Sequence, residues 1–204
     1  MKRAFAFIDG FNLYYRALKG TPFKWLNLRR MCELLIPEYS IKKIKYFTAP
    51  VSGKEDAEKP VRQQAYLRAL RTVECEIIMG KFLTREAPMR LAGDKSKTVI
   101  VTKTEEKGSD VNLASHLLID GFAKLYDAAV VVSNDSDLTM PIKYVRDILG
   151  LGIVVINPDR YIASKSLAQA ATAVRQLRVG VLEACQFPDV IYHAKGSIKK
   201  PTGW

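Results

Sequence analysis

The sequence predicts an α/β protein, a three-layer α/β/α sandwich around a mostly parallel central sheet. Two observations carry this. The stretches "AFAFI" (4–8), "AAVVVS" (128–133) and "GIVVIN" (152–157) are continuous apolar runs, the pattern of strands buried on both faces. Segments with helical spacing separate the strands, with no internal repeat, as when helices cover both faces of one sheet.

The elements follow in order. The strand 4–8 ends at Asp9, and "FNLYYRAL" (11–18) continues as a helix. A second helix spans 27–36, with Leu28, Met31, Cys32 and Leu35 on one stripe, and Pro37 stops it. Residues 41–49 read as a strand with a basic face. Residues 54–73 form a long helix rich in Arg and Gln, with Val61, Tyr66, Leu67 and Leu70 as its buried stripe. A strand at 75–83, bent at Gly80, leads into a polar, irregular stretch at 84–97. Residues 98–104 are a further strand, an edge hairpin partner. Ser109 is placed as N-cap of a helix over 109–126. After the strand 128–133 comes a helix at 137–149, whose Pro141 sits in the first turn, where proline is tolerated. The strand 152–157 and a last helix at 164–177 complete a domain of residues 1–178. Residues 179–204 form a basic tail rich in turn formers. The tail is expected to be a loose end rather than a nucleic-acid contact, despite its lysines and Trp204.

Lys plus Arg number 32 against 21 Asp plus Glu, a net charge of +11 over 204 residues. Such an excess favours polyanionic partners, nucleic acid first and acidic membrane surfaces second; a merely solvated surface is the plain alternative. Cys32, Cys75 and Cys185 are far apart and only two histidines are present, so no zinc-ligand spacing exists. Sparse, unpaired cysteines suggest a reducing compartment. The first residues, "MKRAFAFIDG", are too short an apolar run for a signal peptide, and no run reaches the ~20 apolar residues needed to span a bilayer. A cytoplasmic protein without membrane partners is expected.

Against the positive charge stands a set of carboxylates. In open parallel sheets, ligands bind beyond the carboxyl ends of the strands. Asp9 ends the first strand, and Asp135 and Asp137 follow the strand 128–133 in "SNDSD". If these strands are neighbours, the three converge, and residues i and i+2 of an extended segment point the same way. Asp110 opens the preceding helix and reaches the same edge. Taken singly, each aspartate has an ordinary explanation as a cap or turn residue. Together they repel, and a divalent cation relieves that repulsion. Hard oxygen donors without His or Cys point to Mg²⁺ or Mn²⁺, and a hard-metal site in a basic protein points to phosphodiester hydrolysis. No Gly-rich phosphate loop appears, which counts against an NTPase.

The blocks "FIDGFNLY", "KGSDVNLASHLL" and "DAAVVVSNDSDLTMPIKYVRDILGLGIVVI" resemble, in this order, the NYN domains of the PIN-like nuclease superfamily, near their LabA-like branch. The resemblance covers roughly 1–178 and implies a PIN-like fold with a metal-dependent, endoribonuclease-type site. By position it places Asp9, Asp110, Asp135 and Asp137 on the family's acidic positions and Asn12 on its motif asparagine, bracing Asp9 or touching the scissile phosphate. Ser133 and Ser136 would shape the loop. Two departures stand out. Asn134 replaces a usual Gly, and His116 stands where a second helix Asp is frequent, with Asp120 one turn on as a partial substitute. His116 is read as an ordinary helix histidine before a ligand.

The expected function is therefore a Mg²⁺- or Mn²⁺-dependent nuclease acting on RNA ahead of DNA. The departure at His116 motivates an alternative, an RNA-binding or regulatory NYN module with a degenerate, inactive site. A small-molecule phosphatase matches less well, since Asp9 is followed by Gly and not by a D-x-D pattern. Arg62, Arg68 and Arg71 are candidates to track a phosphate backbone, with a solvated helix face as the plain alternative. Tyr14, Tyr15 and Trp25 are candidate base-stacking residues, with core packing as the commoner role. A homodimer is left open.

Overall fold

The computed structural model describes residues 1–54, 56–194 and 196–204, with the backbone but not the side chain of Lys95. The chain runs β1 (Lys2–Asp9), α1 (Gly10–Leu13), a π-helical turn (Tyr14–Leu18), α2 (Leu28–Leu35), β2 (Tyr39–Thr48), α3 (Glu58–Arg71), β3 (Cys75–Met79), β4 (Lys81–Leu91) and β5 (Asp94–Lys107). It continues through α4 (Ser109–Phe122), β6 (Ala128–Val132), a 3₁₀ turn (Ser136–Leu138), α5 (Thr139–Asp147), β7 (Gly152–Asn157), α6 (Lys165–Ala170) and β8 (Ala173–Gln176). Residues beyond 178 form α7 (Val179–Ala184), β9 (Val190–His193) and β10 (Gly196–Lys199).

Among the described residues, six strands form one sheet in the order β3-β2-β1-β6-β7-β8, each parallel to its neighbours. The apolar runs explain it, because a parallel sheet must be covered on both faces. Ala4, Ala6 and Ile8 pack on one face with Met31 of α2 and Leu67 and Leu70 of α3. Phe5 and Phe7 pack on the other with Leu113 and Leu117 of α4 and Ile142 and Val145 of α5. Strand order steps outward one way through β2 and β3 and the other way through β6, β7 and β8, so it reverses at the β1/β6 pair. That pair is the switch point where open α/β sheets bind ligands. Its register, Ile8 opposite Val132, puts Asp9 and Ser133 together at the strand ends.

Several expectations are corrected. The stretch 84–97 is not irregular: β4 and β5 form a long antiparallel hairpin, a separate two-stranded sheet. The strand expected at 98–104 is the middle of β5, while β4 is largely exposed and lacks the apolar alternation of a half-buried strand; cross-strand pairs such as Thr84–Thr104, 2.9 Å apart, hold the hairpin. The helix expected over 164–177 stops at Ala170, and 173–176 become β8. The open edge of β7 supplies backbone partners that outweigh local helix propensity, and the Thr172 hydroxyl accepts the Ile153 N–H at 3.1 Å. Gly108, with φ of 102°, takes the N-cap position of α4 in place of Ser109, which is its first helical residue. The helix expected from 54 begins at Glu58, with position 55 outside the described residues, and Val61 is 59% exposed. Val61, Ala65 and Arg68 share the face of α3 that lines an open groove with Ser197 and Lys199.

The tail is no loose end. The Trp25 indole donates to the Pro188 carbonyl at 2.9 Å, and the Trp204 ring packs edge-on against Trp25 and Tyr66, at 6.3 and 5.8 Å. Trp25 is fully buried, in the core role and not on a stacking surface. No helix among the described residues is long and apolar enough to cross a membrane.

Candidate functional site

The fold gathers carboxylates at the switch point. Asp9 leaves β1 buried, and its Oδ1 caps α1 by accepting the Asn12 N–H at 2.9 Å. Its Oδ2 accepts the Ser133 hydroxyl at 2.9 Å, and Ser133 Oγ accepts the Asp135 N–H at 3.1 Å. One serine thus ties the carboxylate of β1 to the loop after β6. Asn12 adds a second tie, its side-chain oxygen accepting the Asn134 N–H at 3.0 Å. Asn12 therefore braces the loop through its side chain and Asp9 through its backbone.

Asp9, Asp110 and Asp135 line one open pocket of about 270 Å³ together with Asn12, Phe11, Tyr15, Phe82 and Glu106. Among the described residues, no lysine or arginine lines it. Burial pushes the Asp9 carboxyl up to about 6, against the hydrogen bonds from Asn12 and Ser133, while the charges of Asp110 and Asp135 add to the rise. Asp110 is also raised, by burial first and then by Asp135, Glu106 and Asp137. The repulsion expected from the sequence is therefore present.

Glu106 was missed by sequence reasoning, because the strand there seemed to end at 104. Its Oε1 accepts both the backbone N–H and the hydroxyl of Ser109, at 3.0 and 2.7 Å, which pins the end of β5 to the start of α4. The pair of glutamates just before "GSD" was the available signal. Phe82, also missed, meets Phe11 edge-on at 5.7 Å across the pocket.

Other candidates lie elsewhere. Asp137 is not in an extended segment with Asp135. Asp135 caps the 3₁₀ turn by accepting the Asp137 N–H at 2.9 Å, so Asp137 is carried round the turn and does not line the pocket. Its charge still reaches Asp110. Ser136 is exposed, and its carbonyl accepts the Thr139 hydroxyl at 2.6 Å. Asp120 is no substitute acid at this edge: it is buried in an ion pair with Lys45, at 2.5 Å. His116 Nδ1 lies 2.9 Å from the same ammonium, which has only protons to give, so Nδ1 accepts. Burial and then Lys45 hold the imidazole below its usual pKa. Asn134, in place of the family's usual Gly, clasps the following loop, donating to the Ile162 carbonyl at 2.8 Å and accepting the Ser164 N–H at 2.7 Å. Arg62 and Arg68 line the groove between α3 and β10, whereas Arg71 is exposed at the end of α3.

Residues 3–178 match the family model of the NYN domain. The chain belongs to the NYN family. NYN domains are part of the PIN-like nuclease superfamily, and the sheet and its flanking helices have the expected PIN-like α/β/α form. The chain is also 30% identical over 231 aligned positions to 6-hydroxy-3-succinoylpyridine 3-monooxygenase HspA of Pseudomonas putida, covering 97% of this chain and 74% of that protein. In fold, the NYN domain is similar to the crystal structure of a Vibrio parahaemolyticus protein of unknown function, with a TM-score of 0.61 and 15% identity over 87% of this chain and 94% of that one.

NYN nuclease-like domains usually use divalent metals. Among the described residues, no three His, Cys, Asp or Glu side chains form a group that holds a metal as they stand. The donor set nevertheless fits a hard cation in kind. It is all carboxylate oxygen, and burial first, with the neighbouring carboxylates adding to it, raises the pKa of Asp9 and Asp110. Mg²⁺ is commonly held by one or two carboxylates plus substrate phosphate and water, not by an all-protein cage.

Proposed function

We propose that this NYN domain is a Mg²⁺- or Mn²⁺-dependent endoribonuclease working at the carboxylate pocket. The observation that carries this is the convergence of Asp9, Glu106, Asp110 and Asp135 on one pocket at the strand-order reversal, with the Asp9 carboxyl raised to about 6. Asp9, Asp110 and Asp135 would hold the metal, with Asp137 as an outer carboxylate. When bound, the metal supplies a water of lowered pKa and neutralises charge on the scissile phosphate. Ser133 and Asn12 fix Asp9 and the Asn134–Asp135 loop, keeping the carboxylates aimed. Ser136 shapes the 3₁₀ turn behind them. Arg62 and Arg68, with Arg71 further along α3, supply a basic flank for the RNA backbone. The nuclease unit is residues 1–178, with 179–204 packed against it, in a cytoplasmic protein.

The test is cleavage of end-labelled RNA with Mn²⁺. Wild-type chain cuts, and Asp9→Asn or Asp135→Asn loses about 100-fold or more, the scale of losing one electrostatic contact to the transition state. Wild-type chain that cuts neither RNA nor DNA with Mn²⁺ sinks the reading. Salt-sensitive RNA binding with no divalent-metal binding in calorimetry would instead favour the inactive RNA-binding module.

A second reading has one specific support. The relative's name assigns it oxygenation of a hydroxylated pyridine acid, and its similarity covers 97% of this chain. Oxygen-dependent loss of 6-hydroxy-3-succinoylpyridine with a supplied two-electron donor would favour that activity here.

A further inference from the structure

Beside the acidic pocket lies a larger cavity, of about 620 Å³, that the carboxylates do not enter. The two share Phe11 and Tyr15 in their walls. We infer that this cavity binds a planar heteroaromatic ring that carries an anionic group, held between Tyr14, Tyr46, Tyr66 and Trp204 with its anion on Lys24 and Lys59. The inference stands apart from the cleavage reading, because it needs neither metal nor a reacting bond.

The lining is unusual in kind. Aromatic rings come from four separate parts of the chain: α1 with the turn that follows it, β2, α3 and Trp204. They are set before any ligand arrives. The Tyr66 hydroxyl donates to the Leu26 carbonyl at 2.8 Å, and the Tyr66 ring meets Tyr46 edge-on at 6.2 Å and Trp204 at 5.8 Å. Gly10 leaves room for Tyr46: a Cβ there would lie 2.6 Å from the Tyr46 ring and 2.7 Å from the Phe47 carbonyl. Rings fixed in this way lose little freedom on stacking a flat ligand.

Charge selects the rest of the ligand. The described lining holds three cations, Lys24, Lys59 and Arg62, against the single carboxylate of Asp56. Arg62 is already engaged with Asp56. Lys24 and Lys59 form no ion pair with another described residue, and they line a cavity walled largely by aromatic side chains. An anionic substituent on the ring satisfies them. A nucleotide offers this chemistry as base and phosphate, and a hydroxypyridine carboxylic acid offers it as ring and side chain.

The experiment is titration of the full chain in EDTA, followed by tryptophan emission and checked by calorimetry. Trp204 lines the cavity and Trp25 packs against it, so both report on occupancy. The probes are 5′-AMP and 6-hydroxy-3-succinoylpyridine, with adenosine and inorganic phosphate as fragments. At least one intact probe saturates below ~1 mM and binds about tenfold tighter than either fragment. The double variant Lys24→Gln/Lys59→Gln weakens that probe about tenfold with unchanged Tm, and Trp204→Leu weakens it in calorimetry. Binding by 5′-AMP alone identifies a nucleotide of an RNA chain as the occupant, and binding by the pyridine acid alone identifies a small-molecule substrate. The inference is overturned if neither probe saturates, if adenosine binds as tightly as 5′-AMP in a chain that rejects the pyridine acid, or if the lysine variant binds like wild type. Because EDTA removes divalent metal, these outcomes are independent of whether the carboxylate pocket cuts RNA.

Discussion

Helix α4 carries an aspartate at each end, and the two have opposite fates. Asp110 in the first turn faces Asp9, Glu106 and Asp135 across an open pocket with no cation among the described residues of its lining. Asp120 near the last turn is buried against the Lys45 ammonium, which His116 also shares. Each cluster is built round an aspartate of α4. Only the second is neutralised by the protein. A carboxylate with a fixed cationic partner contributes to a folded core, whereas Asp9 and Asp110 sit with other carboxylates and are raised first by burial and then by those neighbours. His116 lies in the second cluster, beside Lys45, and not among the described residues that line the pocket.

The contrast can be broken from either side. The largest effect is expected at the compensated end. Lys45→Met strands the buried Asp120 charge and should cost about 3–5 kcal/mol, a fall in Tm on the order of 10 °C. The double variant Lys45→Met/Asp120→Leu should recover most of that loss; no recovery would mean that Lys45 matters through something other than Asp120.

At the uncompensated end the sign reverses. Asp9→Asn removes a charge that burial disfavours, and metal-free protein at pH 7.5 should be stabilised by up to about 2 kcal/mol. The folded pKa of about 6 lies above the unfolded carboxylate value of about 3.9, so the folded state binds the extra proton between them. The destabilisation is absent below about pH 4, grows as pH rises through this window and is full above about 6. The Tm difference between Asp9→Asn and wild type should therefore vanish near pH 4. A difference that holds constant with pH would assign the effect to packing. Millimolar Mn²⁺ at pH 7.5 should raise wild-type Tm by a few degrees and leave Asp9→Asn unmoved. The smallest effect is expected from Ser109→Ala, which removes the hydroxyl hydrogen bond to Glu106 and leaves the backbone one, at a cost of about 1 kcal/mol in chemical denaturation, with Mn²⁺ binding retained.

Much of this was legible in one dimension. The strands at 4–8, 128–133 and 152–157 announce themselves because burial on both faces demands unbroken apolar runs. Asp9 and Asp135 were placed by a rule about where strands end and Asp110 by its position at the start of a helix, whereas Glu106 was missed because the strand read at 98–104 runs on to Lys107 through polar residues. Strand β8 was hidden in a helical pattern, since the hydrogen bonds that decide it belong to β7. Asp137 was given the wrong backbone: the 3₁₀ turn capped by Asp135 replaces the extended geometry that would have paired them.

The sequence by itself determined the α/β class, the basic balance and the aspartates of the β1 and β6 ends, because these follow from local periodicity and composition. Only the tertiary structure decided which acid meets which partner. Lys45 reaches Asp120 from 75 positions away, Ser133 reaches Asp9 from 124, and Trp204 closes an aromatic cavity begun at Phe11. Electrostatic and packing energies depend on distance in space, and sequence separation carries no information about that distance until the chain has folded.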